Sequence, residues 1–166
     1  MVKLLVEKGA DVHAADKHGR IPLSWAATGK FHYSAVNLLL DHGAEPNSRD
    51  NNGRSPLSWA SVEGTGSHDR NSVVQILLER TLNPNSKGNN GRSAFFWAVV
   101  HGYPSTAKLL LNSGADPYCA DSEGATTLSI AEEKGWEKVV KHSRGQGQLR
   151  RGGFRRFKLI HTATGT

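Results

Sequence analysis

Residues 51–60 read NNGRSPLSWA, and nearly the same phrase stands at 17–26 as KHGRIPLSWA and at 89–98 as NNGRSAFFWA. Two readings compete for it. With Ser58 as a nucleophile the phrase would be a catalytic signature; as a recurring phrase it would be a structural unit the chain reuses. A nucleophilic serine needs a base within hydrogen-bond reach and an oxyanion hole. Here the serine returns at Ser24, Ser58 and Ser129, and the third copy carries Phe96 in its place. A residue that recurs once per unit and is replaced by phenylalanine fits architecture, not chemistry.

A second phrase accompanies the first at a fixed offset: KLLVEKGADVH (3–13), NLLLDHGAEPN (37–47), QILLERTLNPN (75–85) and KLLLNSGADPY (108–118). Its landmark glycine falls at Gly9, Gly43 and Gly114, with Thr81 in the remaining copy, so the spacings are 34, 38 and 33 residues. The period is therefore about 33 residues with insertions.

Each unit parses as two helices and a turn. Ser55 can cap a first helix with its hydroxyl, and Pro56 follows at the first helical position, where a missing N–H costs nothing. Leu57, Trp59 and Ala60 supply the apolar stripe of that helix. A second helix is expected over Asn71 to Glu79, with Val73, Val74, Ile76, Leu77 and Leu78 inward. In the preceding unit Leu38, Leu39 and Leu40 do the same, and Gly43 stops the helix in a left-handed conformation. EPNSRDNNGR (45–54) is too rich in Asn, Asp, Gly and Pro for a helix and reads as an extended turn.

These residues resemble the ankyrin repeat family. Ser55-Pro56-Leu57-Ser58-Trp59-Ala60 matches its T-P-L-H-x-A core, and Gly43-Ala44-Glu45-Pro46-Asn47 matches its G-A-D-x-N ending. The spelling GR-[ST]-PLSWA is also similar to ankyrin arrays of fungal signalling proteins, including NACHT-type receptor ATPases. The resemblance implies an all-α solenoid of stacked helix pairs with β-turn fingers, about three full repeats plus partial end repeats. It places Ser24, Ser58 and Ser129 where the family has a histidine tying turn to helix. It also places Trp25, Trp59 and Trp97 at a core leucine position, with Ile130 as the fourth member.

The array is expected over 1–140, as a partial repeat at 1–16, full repeats at 17–50, 51–88 and 89–121, and a degenerate one at 122–140. VKLLV aligns with a second helix whose first helix is absent, so the chain reads as a fragment of a larger signalling or regulatory protein. In the fourth unit His142-Ser143-Arg144 stands where a leucine triplet should fall. The second repeat carries about five extra residues in SVEGTGSHDRNS. Within them GTGS (64–67) lacks the GK[ST] of a phosphate-binding loop and reads as a surface insertion. Thr81 would cost about 1 kcal/mol or more if the left-handed geometry were kept.

With 37% hydrophobic and 22% charged residues in 166, the composition is that of a folded chain. The net charge of +6 is unevenly placed. Residues 141–166 hold seven of the 21 basic residues (Lys141, Arg144, Arg150, Arg151, Arg155, Arg156 and Lys158) and no acid. That leaves 14 basic against 15 acidic residues over 1–140, an almost neutral body with a basic tail, expected to be disordered. The tail's RGGFRRF resembles an RNA-binding element, so nucleic acid is an expectation only through Arg150, Arg151, Arg155 and Arg156. No apolar run is long enough to span a membrane, and the N-terminus lacks a signal-peptide layout. The single Cys119 fits a reducing, cytoplasmic or nuclear setting.

The eight histidines have no metal-ligand spacing, and Glu132 and Glu133 make no paired-carboxylate site. No cofactor, no metal and no enzymatic activity are expected. The expected function is protein–protein interaction by a monomeric scaffold, with an accessory segment of a signalling enzyme as the alternative. Arg20, Arg54 and Arg92 each follow a turn glycine and should line up along one edge of the stack, paired to Asp16 and Asp50 or open to an acidic partner. The partner-binding candidates flank the turn glycines (Lys17, His18, Arg20; Asn51, Asn52, Arg54; Asn89, Asn90, Arg92) or lie late in the first helices (Val62, Glu63; Val100, His101).

Overall fold

The computed structural model describes residues 2–28, 33–62, 67–81 and 83–145, and of 67–69 the backbone alone. Glu63, residues 64–66 of the GTGS stretch and the tail arginines 150, 151, 155 and 156 lie outside the described residues. The elements are α1 (Val2–Glu7), α2 (Pro22–Ala27), α3 (Tyr33–Asp41), α4 (Pro56–Ala60), α5 (Ser67–Arg80), α6 (Ala94–Val100), α7 (Pro104–Asn112) and α8 (Thr127–Glu133). A last helix, α9, covers 137–145.

Two rows of helices build the solenoid. The first helices α2, α4, α6 and α8 pack in succession, as do the second helices α1, α3, α5 and α7, and α2·α3, α4·α5 and α6·α7 pair within repeats. Leu23, Leu57 and Phe95 are at most 2% exposed and form one inner column; Val36, Leu39, Val73, Leu77, Leu110 and Leu111 form the other. Helices of five to fourteen residues are marginal in water alone, so this packing is what holds them.

The expected starts and stops are largely present. Ser55 Oγ accepts from Ser58 N at 3.3 Å, Ser93 Oγ from Phe96 N at 3.4 Å and Thr126 Oγ1 from Ser129 N at 3.1 Å. α2 starts after Ile21 with no side-chain cap, relying on Pro22. Gly43 ends α3 at φ 86°, and Ala44 N donates back to Leu39 O at 2.9 Å. Thr81 does not follow this pattern: among the described residues only glycines have positive φ, so α5 ends without a left-handed residue at 81. A β-branched side chain would be strained there, and the backbone takes another route. At the far end α9 runs to 145, through the point where the leucine triplet is lost. Val139 (5% exposed) and Ser143 (0%) are buried, so the fourth repeat has its second helix.

Candidate functional site

The extended turns stack edge to edge as fingers. Asn51 N donates to His18 O (2.9 Å), Asn89 N to Asn52 O (2.9 Å) and Ser122 N to Asn90 O (3.0 Å). Side chains repeat the link: Asn51 Nδ2 reaches Lys17 O at 3.2 Å and Asn89 Nδ2 reaches Asn51 O at 3.0 Å. The fingers approach so closely that only glycine fits at their tips. Gly53 has φ +71°, and a Cβ there would stand 2.9 Å from Asn89 N. Arg49 braces the same junction from the side, donating to Lys87 O (2.9 Å) and Ser86 Oγ (2.8 Å). Backbone held in this way is an ordered platform, not a set of independent loops.

Behind the fingers the arginines and tryptophans interleave. Arg20 Cζ lies 3.7 Å from the Trp25 ring centre and 5.6 Å from that of Trp59. Arg54 Cζ lies 5.0 Å from Trp59 and 4.2 Å from Trp97, and Arg92 Cζ 5.6 Å from Trp97 and 4.9 Å from Phe96. Each guanidinium thus sits over an aromatic face, an arrangement worth about 0.5–2 kcal/mol apiece. The expectation that the tryptophans form a stacked core holds for Trp97, while Trp25 needs correcting. Trp25 is 38% exposed and Trp97 8%, with Trp59 between them. They line the edge of the first-helix row, because an indole at this position extends past the core to meet the arginine beside it.

Carboxylates hold the ladder on its finger side. Asp16 accepts from the backbone N–H of His18 and Arg20 (2.8 and 2.9 Å), from Arg20 Nη2 (3.0 Å) and from Trp25 Nε1 (3.2 Å). Burial works to raise its pKa, but these donors and the Arg20 charge outweigh it, and the pKa is lowered to about 2. Asp50 repeats the set, accepting from Asn52 N, Arg54 N (2.9 Å each) and Trp59 Nε1 (3.0 Å). The third repeat has Gly88 at this place, and there Trp97 Nε1 is buried without a partner. Arg92 instead reaches Asp121 of the following repeat at 3.0 Å and Glu123 at 3.5 Å. Burial opposes the Asp121 charge too, yet the Arg92 hydrogen bond and two backbone N–H groups lower its pKa. Ala125 and Ile130 replace arginine and tryptophan in the last repeat, which ends the ladder.

The candidate residues divide accordingly. Lys17, His18, Asn51, Asn52, Asn89 and His101 are exposed; Arg20, Arg54, Val62, Asn90, Arg92 and Val100 are half-buried. Pairing of Arg20 to Asp16 is observed, while Arg92 finds its acids in the next repeat. The candidate His101 has aromatic neighbours that the sequence reading did not assign to it. His101 stacks on Trp97 (5.8 Å) and on Tyr103 (6.2 Å), and Arg70 Cζ lies 3.5 Å from the Tyr103 ring. The spacing of Trp97 and His101, one helical turn, was the available signal.

Nothing in this surface resembles a reaction centre. Ser58 is 1% exposed, and its hydroxyl lies 3.4 Å from that of Ser55. Among the described residues no three His, Cys, Asp or Glu side chains come together in a way that could hold a metal ion. Burial and the neighbouring Asp116 raise the pKa of Cys119, which keeps its thiol protonated. No described helix is long and apolar enough to cross a membrane.

A comparison with curated proteins finds no match. The family model for ankyrin repeats matches three times, over residues 1–88, 32–121 and 67–142. Repeats of this kind are typically non-catalytic and generally mediate protein–protein interaction. With matches covering most of its length, with helix pairs in register and with turn fingers between them, the chain belongs to the ankyrin repeat family.

Proposed function

We propose that the chain is a non-catalytic scaffold that binds another protein across its finger tips and the late first helices of the second and third full repeats. The carrying observation is the finger row. Exposed side chains at Lys17, His18 and Asn52 project from backbone that neighbouring fingers already hydrogen-bond into register. A surface ordered before binding loses little conformational freedom on association, which favours affinity. None of these side chains closes the core, so their identities are free to serve recognition. A partner covering about 800 Å² of this face would span two or three repeats.

The half-buried arginines contribute a positive edge to that face, while their stacked guanidiniums serve the array itself. The test is capture of partners from cell extract by the immobilised chain, compared with His18→Glu and Asn52→Glu and with Gln75→Lys on the second-helix row. The finger variants should lose the captured protein with unchanged melting temperature, and Gln75→Lys should keep it. Loss on Gln75→Lys with retention in the finger variants would move the interface to the other side of the array.

A further inference from the structure

The second-helix row is closed by leucines until its end. Leu109, Leu110 and Leu111 of α7 correspond to His142, Ser143 and Arg144 of α9, and Ser143 occupies the buried place of Leu110. Polar side chains replace the leucines, and a groove of about 630 Å³ lies between α7 and α9. Pro104, Leu111 and Val139 give it an apolar lining, while Lys108, Lys138 and Lys141 stand on its walls. All three lysines are exposed. One carboxylate is near: Glu137, 3.7 Å from Lys141 and equally open to solvent. The groove lies on the second-helix side, away from the finger face.

We propose that this groove docks a short acidic segment of a partner protein, an apolar side chain entering between Pro104 and Val139 and flanking carboxylates meeting Lys108 and Lys138. Charge complementarity selects the occupant. Three ammonium groups around an apolar slot attract acidic sequence and lower the cost of bringing it close. The chain's own residues 146–166 carry five Lys/Arg and no acid, so their charge has the same sign as that of the groove. A second copy would have to present an acidic apolar segment; the exposed apolar helix α1 carries Lys3 beside its single Glu7, and Lys8 follows it.

The experiment uses the full chain and fluorescently labelled peptides of alternating glutamate and leucine, with alternating lysine and leucine as the control, read by anisotropy. The acidic peptide should bind saturably and weaken as salt rises. Lys108→Glu with Lys138→Glu should weaken it at least tenfold, and Ser105→Trp, which obstructs the groove mouth, should weaken it without altering charge. All three substitutions are at exposed positions, and an unchanged melting curve verifies the fold. The finger variants His18→Glu and Asn52→Glu should bind the peptide like the parent chain, which separates this site from the finger face. Equal binding of the lysine peptide, or binding indifferent to the charge reversal, would overturn the proposal. So would an acidic peptide that binds only after Phe154→Ser and Ile160→Ser, since the tail would then be the occupant.

Discussion

Position 88 shows how much one residue decides in this array. Asp16 and Asp50 each accept from an indole N–H, and Gly88 leaves Trp97 Nε1 buried with no acceptor. A buried donor without a partner costs about 1–3 kcal/mol. Gly88→Asp should therefore stabilise the chain by about 1 kcal/mol in denaturant unfolding, and Gly88→Ala should not. The new Cβ would lie 3.1 Å from Asn52 O, so the finger must give by a few tenths of an ångström. A loss of stability with both substitutions would show that the third finger cannot yield. The row of arginines was legible in the sequence because each follows a turn glycine at constant spacing. Their insertion between indoles was not, since the position that carries tryptophan here is a core leucine in the family pattern. Periodicity assigns a residue to a helix face, but side-chain length decides whether it ends inside the core or beyond its edge.

Among the elements, the fingers and the helix ends use glycine for different reasons, and the difference is measurable. Gly43 and Gly53 both have positive φ, but a Cβ at Gly43 would meet nothing within 4 Å, whereas at Gly53 it would meet Asn89. Gly43→Ala should cost only the backbone strain, about 1 kcal/mol. Gly53→Ala should cost that and the finger junction as well, about 2–4 kcal/mol, visible as a larger fall in denaturant midpoint. Equal losses would mean that the Asn89 N to Asn52 O link contributes nothing. Helix positions, caps and the leucine stripes were readable because their period and end signals are local. The stop of α5 was not. Thr81 sits where its neighbours have glycine, and the structure answers by abandoning the left-handed turn there instead of straining it. Past the lost leucines α9 still runs to 145, with Val139 in the core and Val140 packed against it.

Over the whole molecule the fingers and the ladder add a second set of links between neighbouring repeats, beside the helix packing. Acid should loosen this connection. Asp16 and Asp121 have lowered pKa values, so each favours the folded state in its charged form. Their contribution is complete above the unfolded carboxyl value of about 4, shrinks as the pH falls, and for Asp16 is gone below about 2. The melting temperature should drop across that window, and Asp121→Asn should make the drop shallower while lowering stability at neutral pH. Arg54 tests the ladder itself, because it stands between Trp59 and Trp97 at its centre. In a linear array stability is close to a sum of repeat and interface terms, so weakening one central interface should reduce cooperativity as well as stability. Arg54→Lys keeps the charge but loses the planar group that lies against both rings. If stacking holds the repeats together, Arg54→Lys should cost about 1–2 kcal/mol and broaden the denaturant transition nearly as much as Arg54→Ala does. If charge alone matters, Arg54→Lys should unfold like the parent chain, and the planar guanidinium would then add nothing beyond its charge.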